Sequence, residues 1–119
     1  MDAERAKIPT ATVGAVTWVS PSGELDLADC DELEHAIAAG PVERGRVVYV
    51  DLSETTFIDA SVLGALVRSG RRLAATESKL KIFGASGMVA DLLALTKIDV
   101  EYGADLRVPD ATVTDSLAS

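Results

Sequence analysis

Two kinds of apolar pattern alternate along the chain. Some segments have continuous or alternating apolar residues, which is typical of strands, and others have apolar residues three or four positions apart, which is typical of helices. The longest continuous run, residues 46–52, is typical of a strand covered on both faces of a sheet. Residues 15–20 and 80–83 predict two further strands, and residues 98–102 predict a short last one. Residues 8–13 predict an edge strand, because a proline in this run cannot donate a ladder hydrogen bond.

Three segments place apolar residues three and four positions apart, which predicts amphipathic helices. One of them follows Ser61 and ends on a group of arginines, and another follows Ser86, a suitable N-cap. Residues 111–117 predict a short fourth helix. The earliest helix in the chain is predicted at residues 26–39, with acidic residues in its first turns and an apolar face made of Leu27, Cys30, Leu33 and Ile37.

Strands that alternate with helices at these intervals predict an α/β domain, with a mixed four- to five-stranded sheet and about four helices packed on it. We expect one domain over residues 1–119, because a core of this size rarely divides. Its ordered part is expected to be residues 8–103, with residues 1–7 and 104–119 as looser ends. Residues 21–23, Pro-Ser-Gly, are expected to end the second strand in a turn.

The composition narrows the class of function. With 48% hydrophobic residues the chain can bury a core without a metal, and its single cysteine, Cys30, cannot form an internal disulfide. The net charge of −8 and the 4% aromatic content disfavour nucleic acid as a partner, since phosphate binding needs clustered cations and base stacking needs aromatic rings. The chain has neither a signal segment nor a run of about 20 apolar residues, so we expect a cytoplasmic protein without direct membrane binding.

Catalysis, a metal site and a cofactor find little support in the residues. His35, the one histidine, lies on the charged face of the first predicted helix, which favours a surface position over a role as general base. Cys30 and His35 together lack the further ligands that zinc requires. Residues 84–87 predict a plain turn, because they lack a dinucleotide fingerprint and a P-loop lysine. We expect no catalytic residue, no metal and no cofactor; a small α/β enzyme or nucleotide binder is the weakest alternative.

One serine occupies the best position for a function. The buried strand of residues 46–52 leads into an acidic turn, and Ser61 then lies in the first turn of the second predicted helix. The N–H groups of a first helical turn are unpaired and point outward, so this position suits a phosphoryl group. Strand ends and helix starts lie at one edge of such a sheet, so we expect residues 23–26 to approach this turn.

Two segments resemble the signature segments of STAS domains, the family of the bacterial anti-sigma factor antagonists. Their order and their strand–helix context match that family over about residues 13–102. The segments read Gly23-Glu24-Leu25-Asp26, and Asp51-Leu52-Ser53 followed by Phe57-Ile58-Asp59-Ala60-Ser61-Val62-Leu63-Gly64.

The resemblance implies that the chain works by binding a partner protein. Such antagonists bind an anti-sigma factor that is also an ATP-dependent serine kinase, and so free a sigma factor until the kinase phosphorylates them. It implies that Ser61 is the phosphorylated residue and that Asp26 and Asp59 flank it. The residues that would contact the partner are then Gly23, Glu24, Asp26, Asp59, Ala60, Val62 and Leu63.

Two residues depart from the usual Asp-Ser-Ser-Gly of that family. Ala60 leaves Ser61 as the only hydroxyl in the turn, and Val62 adds a branched side chain where glycine is usual. The second departure favours an alternative, a STAS scaffold that is not phosphorylated and serves as a subunit of a lipid-transport ABC system or a stress-signalling assembly. A phosphatase as a further partner, and the choice between a monomer and a weak dimer, stay open.

Overall fold

The computed structural model describes residues 7–39, 44–96 and 99–101, which form an α/β structure of strands and helices in layers. This part of the chain contains seven strands, three α-helices and one turn of 3₁₀-helix at Leu27–Asp29. The strands are β1 (Thr10–Val13), β2 (Val16–Val19), β3 (Ser22–Leu25), β4 (Val47–Asp51), β5 (Glu54–Ile58), β6 (Lys79–Phe83) and β7 (Asp99–Glu101), and the helices are α1 (Cys30–Ala38), α2 (Ala60–Ala74) and α3 (Gly87–Leu93).

The larger sheet has five strands in the order β1-β2-β4-β6-β7. Strand β1 pairs antiparallel with β2, and the other neighbours pair in parallel. On one face of the central strand β4, Val48 and Val50 are fully buried. On the other face Tyr49 is half-buried, with its ring 6.3 Å from that of Trp18 and 6.1 Å from that of Phe83. This mixed sheet confirms the predicted fold class.

A second, smaller sheet pairs β3 with β5 in parallel and is not predicted by the sequence pattern. The expectation of a turn at residues 21–23 is wrong, because Ser22 and Gly23 belong to the strand Ser22–Leu25. Its glycine and polar residues carry no alternating apolar signal. The strand instead depends on pairing with β5, where Leu25 lies opposite Ile58 and both side chains are buried.

The helices α1 and α2 pack against each other, and they reach the larger sheet at β2 and β6 respectively. The buried side chains between them and the sheet form one hydrophobic core, whose largest fully buried members include Leu33, Ile37, Val50, Val62, Leu66 and Ile82. Apart from a few aromatic rings, this core is therefore built from branched aliphatic side chains.

Several element boundaries differ from the predicted ones. The first predicted helix is divided into the 3₁₀ turn and α1, because Asp26 caps the turn through a capping box with Asp29. Ser86 is the N-cap of α3 by position, although its side chain makes no capping hydrogen bond. The predicted helix at residues 111–117 lies outside the described residues, so the described part has three α-helices where about four are expected.

A carboxylate joins α1 to α2. Glu34 accepts hydrogen bonds from Arg68 Nη2 and Arg72 Nη1, each at 2.8 Å. The Glu34 side chain is only 14% exposed, whereas the arginine side chains are 52% and 64% exposed. The hydrogen bond from Arg68 is the main reason that the pKa of Glu34 lies below its ordinary value of 4.5, and Arg72 adds to the effect.

Replacing Glu34 by glutamine is expected to lower the melting temperature by about 2–4 °C at neutral pH and low salt, because partly exposed ion pairs contribute little. The folded pKa lies below the unfolded one, so the contribution is full above pH 4.5 and is lost as the pH falls through the folded value. Thermal melts followed by circular dichroism should therefore converge in acid. Glu32→Gln, at an exposed position of α1, is the control. A difference that persists unchanged in acid would contradict the assignment.

Candidate functional site

The first turn of α2 holds the serine singled out by its position. Asp59 is the N-cap of α2, and its Oδ1 accepts the Val62 N–H at 3.0 Å. Ser61, the second residue of the helix, donates its hydroxyl to the same oxygen at 2.5 Å, and the residue is half-buried. The structure therefore places the Ser61 hydroxyl at a helix start, with its hydrogen on a carboxylate and its lone pairs directed away from that carboxylate.

The carboxylate under Ser61 is charged at neutral pH. Hydrogen bonds from the Ser61 hydroxyl and then from the Val62 N–H hold the pKa of Asp59 below its ordinary value of 3.8. The backbone N–H of Leu27 acts on Asp59 in the same direction. Asp59 therefore caps α2, the helix that the 3₁₀ turn before α1 also contacts.

The two segments that resemble the STAS signature meet at this turn. Strand β3 ends at Leu25 beside Ile58, the last residue of β5. The 3₁₀ turn that follows β3 packs against α2. Residues 23–26 therefore lie beside the Ser61 turn, as the sheet-edge argument predicts.

The site also contains a buried thiol. Cys30, the first residue of α1, is 5% exposed, and its Sγ lies 3.7 Å from the Asp26 carbonyl oxygen. Burial raises the pKa of Cys30 above its ordinary value of 9.0; a hydrogen bond with Ser61 opposes this shift, and the charge of Asp59 adds to it. Cys30 is thus a neutral neighbour of Ser61, a contact that helical periodicity alone could not reveal.

Asp26 differs from Asp59 in what its carboxylate does. Its Oδ1 accepts the Ala28 N–H at 2.9 Å, while its own N–H donates to Asp29 Oδ2 at 2.9 Å. These bonds turn Asp26 toward its own 3₁₀ turn. Of the two acids expected to flank Ser61, only Asp59 is hydrogen-bonded to it within the described part of the chain.

Most residues of the predicted partner surface reach solvent, but one does not. Val62 is 0% exposed, because it continues the buried row of α2 toward Leu66, four positions later. The expectation that the Val62 side chain contacts a partner is therefore wrong, and its spacing from Leu66 is the signal that could have indicated this. The exposed or half-buried members are Gly23, Glu24, Asp26, Asp59, Ala60 and Leu63.

Two exposed apolar side chains beside the site are missed by the sequence analysis. Leu27 is 71% exposed, because the 3₁₀ turn moves it off the buried face that a continuous helix would give it. Phe57 is 37% exposed and lies on β5 opposite Glu24 of β3. Apolar side chains next to a polar turn are typical of the centre of a protein interface.

The described ranges provide few ligands for a metal. They contain no group of three or more His, Cys, Asp or Glu side chains arranged to hold a metal ion. His35 is exposed on α1, as its position on the charged face predicts. Within the same ranges, no helix combines the length and the apolar character that a bilayer span requires.

Comparisons with known proteins find a matching family model and several sequence relatives. Residues 9–107 match the family model described as "Mlab, STAS domain". The anti-sigma-B factor antagonist of Staphylococcus aureus (strain NCTC 8325 / PS 47) is 29% identical over 89 residues, which cover 75% of this chain and 82% of that protein. The anti-sigma-B factor antagonist of Listeria monocytogenes serovar 1/2a is 29% identical over 75 residues, covering 63% of this chain and 66%, just under two thirds, of that protein.

Solved structures share the same architecture. An anti-sigma factor antagonist from Mycobacterium paratuberculosis superposes with a TM-score of 0.68 at 22% identity, covering 94% of this chain and 95% of the other. The phosphorylated form of the Bacillus cell fate determinant SpoIIAA superposes with a TM-score of 0.68 at 15% identity, covering 93% and 99%. At these identities the likeness concerns the fold, while the family model spans most of the chain. This chain therefore belongs to the STAS domain family.

Proposed function

We propose that this chain is an anti-sigma factor antagonist that binds an anti-sigma factor with serine kinase activity, frees a sigma factor, and is switched off by phosphorylation of Ser61. The observation that carries the proposal is the placement of the Ser61 hydroxyl in the first turn of α2, half-buried at the surface and hydrogen-bonded to the charged Asp59. In this proposal the chain is the substrate of the kinase, which supplies Mg²⁺ and ATP.

The start of helix α2 supports the proposal, because it can accommodate a phosphoryl group on Ser61. A phosphoryl group adds about −1.5 to −2 charge, and the positive end of α2 offsets part of its repulsion from Asp59. The fold should therefore tolerate the modification. Related evidence comes from SpoIIAA, whose fold is known both in an unphosphorylated and in a phosphorylated form.

The surface around Ser61 supports partner binding. Leu27 and Phe57 offer exposed apolar area, and Glu24, Asp26 and Ala60 add exposed polar or small residues near the same turn. An apolar centre with a polar rim is the usual arrangement of a transient interface. This function requires a cytoplasmic location, where RNA polymerase acts.

A second candidate function is a STAS scaffold that is not phosphorylated, in a lipid-transport ABC system or a stress-signalling assembly. The observation in its favour is that the Ser61 hydroxyl already serves the cap of α2 through Asp59, which is a sufficient structural role.

Phosphate uptake separates the two functions. We expect the chain to gain one phosphoryl group when it is incubated with its cognate anti-sigma factor kinase, ATP and Mg²⁺, and we expect Ser61→Ala to gain none; intact-mass spectrometry is the measurement. Ser86→Ala, which changes an exposed serine at the start of α3, is the control and should be modified like the parent. Binding without any mass gain would overturn the switch and favour the scaffold.

A further inference from the structure

The hydrogen of the Ser61 hydroxyl is held by a carboxylate of the same chain. Ser61 Oγ lies 2.5 Å from Asp59 Oδ1, a distance typical of a hydroxyl that donates to a charged carboxylate. The hydrogen bonds from Ser61 and from the Val62 N–H, which lies 3.0 Å from the same oxygen, keep Asp59 ionised. An ionised carboxylate has no hydrogen to donate, so the hydrogen between the two side chains belongs to Ser61 and points to Asp59.

This hydrogen has to leave when Ser61 is phosphorylated. In the transfer, a bond forms between Ser61 Oγ and the γ-phosphorus of ATP, the bond from that phosphorus to the β,γ-bridging oxygen breaks, and ADP leaves. The hydroxyl proton needs a base within hydrogen-bond reach, up to about 3.2 Å from Oγ. Asp59 Oδ1 already meets this condition. A base supplied by the kinase would first have to displace it.

The two neighbouring ionisable side chains are less suitable bases. Asp26 directs its Oδ1 at the Ala28 N–H of its own 3₁₀ turn, at 2.9 Å. The Cys30 thiol is 5% exposed, and burial raises its pKa above the ordinary value of 9.0, so it keeps its own hydrogen at neutral pH. Asp59 is thus the group of this turn that is both charged and in contact with the reacting oxygen.

The charges of the reacting groups favour proton transfer to Asp59. The incoming phosphoryl group adds about −1.5 to −2 charge directly beside this carboxylate. A carboxylate that takes the Ser61 proton becomes neutral, so the repulsion between the two groups decreases while the bond from Oγ to phosphorus forms. The positive end of α2 acts on the phosphoryl group in the same favourable direction. Transfer of the proton to Asp59 therefore removes a repulsion that would otherwise oppose the modification.

We propose that Asp59 is the base for the phosphorylation of Ser61: its Oδ1 takes the hydroxyl proton while Ser61 Oγ bonds to the γ-phosphorus of ATP. The half-buried carboxylate then releases the proton to solvent. The kinase supplies ATP, Mg²⁺ and the position of the phosphates, and the chain remains a substrate that is modified once. This inference rests on the proposed function, because it concerns the same serine and the same kinase.

The test is a single-turnover experiment with the full chain, the cognate kinase in excess, and saturating ATP and Mg²⁺, measured by quenched flow and intact-mass spectrometry. Asp59→Asn keeps a side-chain oxygen that can cap α2, but an amide is not basic enough to take the proton. We expect this variant to lower the saturating rate constant of phosphorylation about a hundredfold. The kinase concentration that gives half of the saturating rate should change by less than about threefold, since binding is a separate step.

Asp91→Asn makes the same chemical change at an exposed position of α3 and is the matched control, which should be phosphorylated like the parent. Both variants should keep the circular dichroism spectrum of the parent, because asparagine is also a good N-cap. A saturating rate of Asp59→Asn within about threefold of the parent, or a loss confined to the half-saturating concentration, would overturn the proton transfer and leave the proposed function standing. A parent chain that gains no phosphoryl group at Ser61 would refute both.

Discussion

Replacing Ser61 by aspartate is expected to lower the affinity of the chain for its anti-sigma factor about a hundredfold, whereas Ser61→Ala should bind within about threefold of the parent. The added carboxylate would lie beside Asp59, whose carboxylate is already charged and accepts a hydrogen bond from the first turn of α2. Within the domain, the positive helix end offsets part of the repulsion. Across an interface, a desolvated anion without a cationic partner has no such compensation.

The measurement is isothermal titration calorimetry with the purified anti-sigma factor. Ser86→Asp is the matched control, because it places the same charge at the exposed start of another helix, α3, and should bind like the parent. A true phosphate carries more charge than aspartate, so the phosphorylated chain should bind more weakly still, by about a thousandfold. Equal affinities of the aspartate and alanine variants would refute a charge switch at this position.

The sequence could predict the Ser61 turn of this surface but not the exposure of Leu27 and Phe57. Capping is local, so the place of Ser61 in the first turn of α2, two residues after the N-cap Asp59, could be predicted from the sequence alone. The position of Leu27 depends on how the 3₁₀ turn packs against α2, and the exposure of Phe57 depends on the pairing of β3 with β5. Contacts of that kind are set by tertiary packing, which no single-segment pattern contains.

The same distinction, between local patterns and tertiary packing, explains which parts of the fold could be predicted from the sequence. Strand β4 and helices α1 and α2 each bury a set of their own side chains, such as Val48 and Val50 in β4, so their periodicity predicts them. Strand β3 buries mainly Leu25, and its main support is a strand about thirty residues later in the chain. A short strand that depends on a distant partner has almost no signal of its own.

Gly84 lies where two turns approach each other closely. Because of these close contacts, its replacement is the second substitution for which we expect a large effect. It follows β6 with a φ of +81°, and a Cβ built on it would lie 2.8 Å from Asp51 Oδ1 and 2.9 Å from the Ser53 backbone nitrogen. These atoms cannot easily move, because the Ser53 N–H donates to Asp51 Oδ1 at 2.9 Å and the Leu52 N–H donates to the Phe83 carbonyl oxygen at 2.9 Å. The plain turn predicted at residues 84–87 is thus locked against the turn that leads into β5.

Gly84→Ala is therefore expected to lower the free energy of unfolding by about 3–5 kcal/mol, since a strained left-handed backbone adds to a clash with backbone atoms. Gly87→Ala is the matched control in the same turn: its φ is +56°, but nothing lies within 4 Å of the added Cβ, so only the backbone strain of about 1 kcal/mol remains. Urea unfolding followed by circular dichroism measures both. Equal losses in the two variants would show that the contact with Ser53 carries no weight. A larger loss for Gly84→Ala would show that the close approach of this glycine to Asp51 and Ser53, in the turn that leads into β5, contributes to the stability of the fold.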